Sequence, residues 1–336
     1  MAVSPNSPSP EAHAAARPVG AAVARCLQRH VLAGQTVCVA LSGGIDSVVL
    51  LHALREAGGD HRLSAVHVDH GLQAASGEWA EFCRRLCADW QVPLTIARVE
   101  VERSDPHGTE AAARCARHAV YARCEADWLA LGHQRGDRAE TLLINLLRGC
   151  GVRGAAAMPA RRGRLLRPLI DCSRAQIAGY AAAFGLRWVE DGSNADTDFR
   201  RNFLRHDILP RLAARIPAAE AMLAAAAERF GEAQDLLDAL ARLDLGERPA
   251  EFPFDVAPLR RLDEARANNL LRYLLRRHGV GIASERRLRE FLRQLRSAMP
   301  DRHPEVRFGP HRLRLAQGRL SLLRDNPSVP RQETNG

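Results

Sequence analysis

Short apolar segments alternate with longer amphipathic ones over the first half of the chain. The apolar segments are rich in valine, isoleucine and leucine, which is typical of strands: TVCVALS at 36–42, LSAVHVDHG at 63–71, PLTIARVEV at 93–101, DWLALGH at 127–133 and LLRPLI at 165–170. The segments between them have apolar residues at helical spacing: SVVLLHALREAG at 47–58, SGEWAEFCRRLCADW at 76–90, GTEAAARCARHAVYARCEA at 108–126 and DRAETLLINLLRG at 137–149. This alternation predicts an α/β fold with a doubly wound, mostly parallel sheet.

Polar clusters follow three of the predicted strands. They are Ser42–Ser47, His67–Gly71 and Gly132–Glu140. Because parallel strands end at the same edge of a sheet, and ligands bind outside that edge, the three clusters predict a single site.

The alternation stops near residue 215, and the rest of the chain has a different pattern. Helical spacing dominates at 218–243, 263–279 and 284–297, and 306–323 has the pattern of a small hairpin. The predicted organisation is a disordered tail at 1–20, an α/β catalytic domain at 21–215, a smaller helix-rich domain at 216–324 and a disordered tail at 325–336. The two tails are predicted from their proline-rich and polar compositions.

The charge of the chain is strongly positive and is carried by arginine alone. The formal net charge is +9, and no lysine occurs among the 48 basic side chains. Residues 260–314 contain 15 arginines against 6 acidic residues. A basic surface concentrated in one small domain favours contact with a nucleic acid, although arginine stems over apolar neighbours would give the same composition. We therefore expect a basic nucleic-acid-binding domain.

Membrane insertion is not expected from this sequence. No apolar run reaches the roughly 18 residues of a membrane span. The first twenty residues lack the charged start and apolar core of a secretory signal, so the expected location is cytoplasmic.

The segment Ser42–Ser47, SGGIDS, has the composition of a phosphate-binding turn. Glycines at 43 and 44 let backbone N–H groups converge on an anion, and the following helix directs its positive end to the same place. No lysine follows, in contrast to the lysine-bearing P-loop. Asp46 would repel a bare phosphate, so its position is explained if it holds Mg²⁺.

The SGGIDS segment resembles the signature of the PP-loop, or N-type ATP pyrophosphatase, superfamily. The downstream motifs resemble those of one family, tRNA(Ile)-lysidine synthetase, in the same order: HVDHGL at 67–72, GTEAAAR at 108–114, GHQRGDRAET at 132–141, LLRPLI, and WVEDGSNADTDFRRNFLRHDILPRL at 188–212. The helical second part is similar to that family's first C-terminal domain. The chain therefore resembles a shorter form without the last C-terminal domain.

The resemblance implies a reaction. The wobble cytidine of the isoleucine tRNA with anticodon CAU is adenylated by ATP at its 2-carbonyl oxygen. The ε-amine of free L-lysine then attacks that carbon, which gives lysidine, AMP and pyrophosphate. ATP and Mg²⁺ are the implied cofactors, and a homodimer is an oligomeric state that the resemblance allows.

The resemblance also implies roles for individual residues. The ATP-binding residues are Ser42, Gly43, Gly44, Ile45, Asp46, Ser47, His67 and Val68. The catalytic residues are Asp46, Arg114, His133 and Asp137, with Asp46 also the Mg²⁺ ligand. The lysine-binding residues are Asp137 and Glu140. The tRNA-binding residues are Arg201, Asn202 and Arg205, and Asn194 belongs to the same motif.

Several of these residues also have a purely structural explanation. Arg114 would then form a surface salt bridge, and His133 would be a buried histidine with its hydrogen bonds satisfied. Asp137 and Glu140 would stabilise a helix start, because carboxylates are favourable there. The late arginines would belong to a polar network between domains.

Two residues depart from the family pattern. Gly136 stands where the pattern has the first aspartate of DDQAET, and Arg138 stands where it has glutamine. A lost carboxylate and an added positive charge would weaken lysine binding if both face the lysine site.

Three other functions remain open on the sequence. A tRNA thiolase of the same superfamily is disfavoured because the chain has no CxxC pair. A tRNA-binding homologue with weak turnover is suggested by Gly136 and Arg138. A synthetase of the amidotransferase type would need a glutaminase domain, and no segment of the chain resembles one.

Overall fold

The computed structural model describes residues 10–71, 76–101, 109–190, 200–282, 284–297, 299 and 302–325. The chain forms two compact units, Met1–Gly231 and Glu232–Gly336. The sequence placed the boundary at 215, where the strand–helix alternation stops. The structure places it later because the first part of the long helix Ala219–Leu245 still belongs to the first unit.

The first unit contains a six-stranded sheet. Its strands are β1 (Thr36–Ala40), β2 (Arg62–Asp69), β3 (Leu94–Arg98), β4 (Trp128–Ala130), β5 (Arg161–Arg162) and β6 (Leu165–Leu166). The strand order is β3-β2-β1-β4-β6-β5, and only the short β5 pairs antiparallel. The predicted mostly parallel α/β fold is confirmed. The chain order reverses between β1 and β4, and such a switch point opens a crevice for ligands.

Helices connect and cover these strands. They are α1 (Pro10–His30), α2 (Ile45–Glu56), α3 (Ser76–Asp89), α4 (Thr109–Arg123), α5 (Arg135–Leu147), α6 (Val152–Ala155), α7 (Arg174–Ala183), α8 (Arg200–Phe203), a π-helical turn (Leu204–Ile208), α9 (Leu209–Arg215) and α10 (Ala219–Leu245). The boundary between the two units falls within α10.

Strand β1 is buried on both faces, as expected of a central parallel strand. Val37 and Val39 pack into the core that includes α1, α2 and α7. Cys38 and Ala40 point to the opposite face, where they pack with residues of α4. Because both faces of β1 are buried, its sequence is a continuous apolar run.

The expected disordered tail at 1–20 is wrong from Pro10 onward. Helix α1 starts there, and Val19 and Val23 are buried in the main core. The sequence predicts disorder here because the first residues are rich in proline and serine, although apolar residues at helical spacing follow. Packing of these apolar residues against α7 stabilises helix α1. Residues 1–9 and 326–336, also expected to be disordered, lie outside the described residues.

The second unit contains helices and an antiparallel sheet. After the end of α10 its elements are β7 (Phe254–Asp255), α11 (Ala257–Arg261), α12 (Glu264–Arg277), α13 (Glu285–Ser297), β8 (Glu305–Phe308), β9 (His311–Ala316) and β10 (Arg319–Arg324). The sheet order is β7-β10-β9-β8. The expected hairpin is therefore part of a larger sheet, because a distant two-residue segment at 254 pairs with β10. No helix in the described part of the chain has the length and apolarity needed to cross a bilayer.

Truncation of a β4 side chain tests the central position of this strand. Leu129 is 0% exposed, and β4 lies between β1 and β6. We expect Leu129→Ala to lower the free energy of unfolding by about 2–5 kcal/mol, because a cavity remains in a packed core. The matched control is Leu147→Ala, whose side chain is 80% exposed. Its expected change is within about 0.5 kcal/mol in urea denaturation. Equal losses for both variants would contradict the central placement of β4.

Candidate active site

The loop Ser42–Ser47 leaves β1 at the switch point of the sheet and leads into α2. Its two serine hydroxyls hold its shape. The Ser47 hydroxyl donates to Gly44 O at 2.9 Å and accepts from Ser42 N at 3.2 Å. The Ser42 hydroxyl accepts from Gly44 N at 3.3 Å. The turn therefore stands preformed at the start of a helix, where an anion is favoured.

Two glycines make this arrangement sterically possible. Gly43 has φ +91°, and a Cβ atom there would lie 2.8 Å from Val189 Cγ2. Val189 N also donates to Gly43 O at 3.0 Å, so the chain before residue 190 lies on the loop. A Cβ atom on Gly132 would lie 3.0 Å from the carbonyl carbon of Asp46 and 3.1 Å from Ser47 N. The end of β4 thus packs directly on the phosphate-binding loop.

Asp46 is the side chain of the loop whose environment suits a cation. Its Oδ1 atom is buried and has no hydrogen-bond partner among the described residues. Burial and the nearby charge of Asp137 raise its pKa to about 6. A cation at Oδ1 would compensate both effects, so the residues present fit Mg²⁺. No group of three potential metal-ligating side chains occurs in the described ranges. A magnesium ion here would therefore take its other ligands from phosphate and water, which is its usual behaviour.

A second acidic group lies at the start of α5. Asp137 and Glu140 are both buried. Asp137 Oδ2 accepts from Gln134 N at 2.9 Å, and the Gln134 side chain accepts from Gly136 N at 2.7 Å. Asp137 therefore stabilises the start of α5, as the structural alternative in the sequence predicts. Its other carboxylate oxygen can still bind a cation.

Two arginines of the motif at 188–212 supply a positive charge to this acidic pair. Arg201 contacts Asp137 at 3.0 Å and Glu140 at 2.8 Å. Arg205 contacts Asp137 at 3.0 Å and Glu140 at 2.7 Å. The residues that the sequence assigned to lysine and to tRNA thus form one network. Buried carboxylates need such partners, because an unpaired buried charge is strongly destabilising.

The two departures from the family pattern have local explanations in this network. Arg138 is buried and its guanidinium contacts Asp171 at 3.1 Å and Met158 O at 3.3 Å. Its charge therefore has an acidic partner of its own. A Cβ atom on Gly136 would lie 3.1 Å from the Gln134 side-chain amide, so glycine suits the cap that Gln134 forms.

His133 follows β4 directly and is held in its neutral form. Burial, followed by the charges of Arg167, Arg201 and Arg114, lowers its pKa to about 3. Arg167 Nε donates to His133 Nδ1 at 3.2 Å, so the neutral ring carries its proton on Nε2. At neutral pH this histidine is a hydrogen-bond donor and a poor proton acceptor.

A pocket of about 280 Å³ adjoins the loop, and it unites several of the predicted ATP-binding residues. Ser42, Gly44, His67 and Val68 all line it. His67 Nδ1 donates to Leu41 O at 2.8 Å, which fixes the ring at the end of β2. The pocket volume and its position beside the loop suit a nucleoside.

The remaining predicted residues are more dispersed. Arg114 is exposed on α4, and its positive charge helps to lower the pKa of His133 and of Arg167. Asn202 is buried within α8. Asn194 lies outside the described residues.

Several residues that the fold brings to the site are not predicted from the sequence. Gly132 and Arg167 lie in the motifs GHQRGDRAET and LLRPLI but received no role. Trp79, Arg117 and Tyr121 line the nucleoside-sized pocket. Their helical segments carried no signal of it, because only the fold brings α3 and α4 to this edge.

Two family models match the chain. Residues 19–212 match a PP-loop domain, and residues 254–321 match a TilS substrate binding domain. Curated relatives named tRNA(Ile)-lysidine synthase are similar over most of the chain. The protein of Nitrosomonas europaea is 42% identical over 306 residues, which are 88% of this chain and 67% of the relative. The protein of Azoarcus sp. strain BH72 is 46% identical over 307 residues, which are 86% of this chain and 66% of the relative.

The chain belongs to the tRNA(Ile)-lysidine synthase family. It spans about two thirds of the length of these two relatives. Among solved structures, the U34-tRNA thiolase NcsA from Methanococcus maripaludis matches with a TM-score of 0.54 at 18% identity, over 66% of this chain and 80% of that one. A likeness at this identity shows a common fold only, so it carries no argument for thiolation.

Gly132→Ala tests the contact between β4 and the loop. We expect this variant to weaken binding of a non-hydrolysable ATP analogue by about tenfold or more, because the added methyl must displace the backbone of Asp46 and Ser47. The matched control is Gly20→Ala in α1, where a Cβ atom meets nothing within 4 Å. Calorimetric titration of both variants gives the comparison, and unchanged affinity in Gly132→Ala would contradict the tight approach.

The titration of His133 provides a pH test. The pKa of this residue lies near 3 in the native protein, against about 6.5 for an ordinary histidine. Between these values the unfolded chain binds the extra proton, so stability decreases as pH falls through this window, by at most about 1.4 kcal/mol per pH unit. NMR of labelled histidine should show His133 neutral from pH 8 to about pH 5. A titration midpoint near 6.5 would contradict the buried, arginine-flanked environment.

Proposed function

We propose that this protein modifies the wobble cytidine of the CAU-anticodon isoleucine tRNA with lysine, using ATP. The proposal rests on one observation: a loop that suits an anion and an acidic pair that suits a cation lie at the same edge of the sheet. The loop Ser42–Ser47 suits phosphate, and the buried pair Asp137 and Glu140 suits a cation. An adenylating enzyme with an amine substrate needs both, and the family shown for this chain supplies the substrate class.

The first step is adenylation of the base. The 2-carbonyl oxygen of cytidine attacks the α-phosphorus of ATP, the bond to the bridging oxygen breaks, and pyrophosphate leaves. Backbone N–H groups of the loop and the hydroxyls of Ser42 and Ser47 hold the departing pyrophosphate. Asp46 would hold Mg²⁺ through its Oδ1 atom, which is buried without a hydrogen-bond partner among the described residues. Such an ion would offset negative charge on the phosphates.

The second step attaches lysine. The ε-amine attacks C2 of the base, the bond from C2 to the adenylate oxygen breaks, AMP leaves and the amine loses a proton. We assign His133 an orienting role through its Nε2–H group, because its depressed pKa makes it a poor base.

The lysine site is assigned to Asp137 and Glu140, whose carboxylates already bind cations. In this structure the cations are the guanidinium groups of Arg201 and Arg205. A lysine ammonium group must therefore compete with them. Contact of these two arginines with RNA phosphates would lower that cost, which accounts for a tRNA-binding motif beside a lysine site.

The second unit is proposed as the docking surface for the body of the tRNA. Support comes from its match to a substrate binding domain and from its arginine-rich helices α12 and α13. Several arginines there are exposed, among them Arg286 and Arg287 on α13. Exposed arginines attract RNA phosphates.

The direct test is incorporation of labelled lysine. Incubation with ATP, Mg²⁺, labelled lysine and the CAU-anticodon isoleucine transcript should place the label in the tRNA and release AMP. Asp46→Asn should abolish adenylation and retain tRNA binding, because it removes the metal ligand alone. Thiolation with a sulfur donor in place of lysine labelling would refute the proposal. Binding of tRNA without AMP release would identify a homologue that has lost turnover.

Glu140→Gln tests the lysine site separately. We expect the KM for lysine to rise by about tenfold or more, because a hydrogen bond to a charged group contributes about 1.5–3 kcal/mol. The KM for ATP should change far less. The matched control is Glu220→Gln, which removes a carboxylate that contacts Arg135 at 2.8 Å on the same unit. A similar rise in both variants would point to a general loss of structure rather than to a lysine site.

A further inference from the structure

Arg167 is a buried cation that the proposed mechanism does not use. It follows β6 and is 8% exposed. Its Nε group donates to His133 Nδ1 at 3.2 Å, and its Nη1 group donates to Pro159 O at 2.8 Å. Both acceptors are neutral, so neither compensates its charge. The Nη2 amino group forms no hydrogen bond or ion pair with the described residues.

The surroundings of Arg167 are positive. No carboxylate in the described ranges lies within ion-pair distance of it. Burial, and then the charges of Arg162, Arg138 and Arg114, lower its pKa to about 10. Of these three neighbours, Arg138 has the acidic partner Asp171. A buried charge without a counter-ion is costly, so an anion at this position would be strongly favoured.

This cation lies at the catalytic edge of the sheet. Leu131 N donates to Leu166 O at 2.9 Å, so the chain leaves β4 and β6 side by side. His133 and Arg167 therefore emerge next to each other. Gly132, between them and the loop, packs on the backbone of Asp46.

We propose that Arg167, His133 and Arg114 form a seat for a phosphate group of a substrate. Arg167 offers the free part of its planar fork, His133 offers its Nε2–H group, and Arg114 adds a nearby exposed charge. Asp46, Asp137 and Glu140 form a separate acidic group, and none of the three makes an ion pair with Arg167 among the described residues. This inference rests on the proposed function, because a nucleotide and an RNA are the substrates that carry phosphate.

The phosphate has two sources, the α-phosphate of ATP or a backbone phosphate of the tRNA beside the wobble base. Arg167→Gln removes the charge, and Arg167→Lys keeps the charge but loses the fork. The matched control is Arg161→Gln in the neighbouring strand β5, an exposed arginine whose guanidinium lies 4.9 Å from the ring centre of Trp128. Each variant is titrated with a magnesium-bound, non-hydrolysable ATP analogue and, over a series of salt concentrations, with the isoleucine transcript.

Two outcomes support the seat and identify its source. If it holds the α-phosphate, Arg167→Gln weakens binding of the analogue by about tenfold or more, and the salt dependence of tRNA binding stays unchanged. If it holds an RNA phosphate, the slope of log Kd against log salt concentration decreases by about 1, and analogue binding stays unchanged. Arg167→Lys should show a smaller loss of affinity in either case.

Two results would overturn the seat. One is that Arg167→Gln matches Arg161→Gln in both titrations. The other is a lower Tm in Arg167→Gln together with normal affinities in a folded Arg167→Lys, which would make Arg167 a structural residue. Labelling of tRNA with lysine by the unmodified protein is measured in parallel. Its absence would refute the proposed function, whereas the two binding titrations decide the seat independently.

Discussion

The close approach of Gly132 to the backbone of Asp46 and Ser47 is the contact on which the site depends. It joins the end of β4 to the loop Ser42–Ser47 without an intervening side chain. The segment that directly follows Gly132, with His133 and the start of α5, therefore begins beside this loop. An acidic pair that would otherwise be a helix cap is thereby brought beside the carboxylate of Asp46, close enough for their charges to raise its pKa.

Charged groups of both signs lie around this contact. Asp46, Asp137 and Glu140 are acidic, and Arg167 is a buried cation beside the neutral His133. Arg201 and Arg205 neutralise much of the acidic charge through four ion-pair contacts of 3.0 Å or less. Opposed charges of this kind are costly to bury, and they are also what a reaction between a polyanion and an amine requires. In the proposed function, the same residues therefore serve both the stability of the site and its chemistry.

The two departures from the family pattern have effects that a residue-by-residue comparison of motifs does not predict. A change from glutamine to Arg138 looks like a new charge at the lysine site. In the folded protein that charge is taken up by Asp171, thirty-three residues along the chain. Gly136 likewise has a local reason in the Gln134 cap. Neither partner is predictable from the motif itself, because side-chain direction depends on which elements pack against α5.

The sequence by itself determined the parallel α/β fold and the family, because each depends on local periodicity or on residues adjacent in the chain. It predicted the phosphate-binding loop from the same kind of local signal. It also placed the acidic and arginine motifs, but as separate lysine and tRNA sites. Only the tertiary structure decided that these motifs pair with each other, that α1 packs on the core from Pro10, and that Arg167 lies buried among other arginines. Such contacts join segments that are distant in sequence, and the energy of a buried charge depends on every neighbour that the fold brings to it.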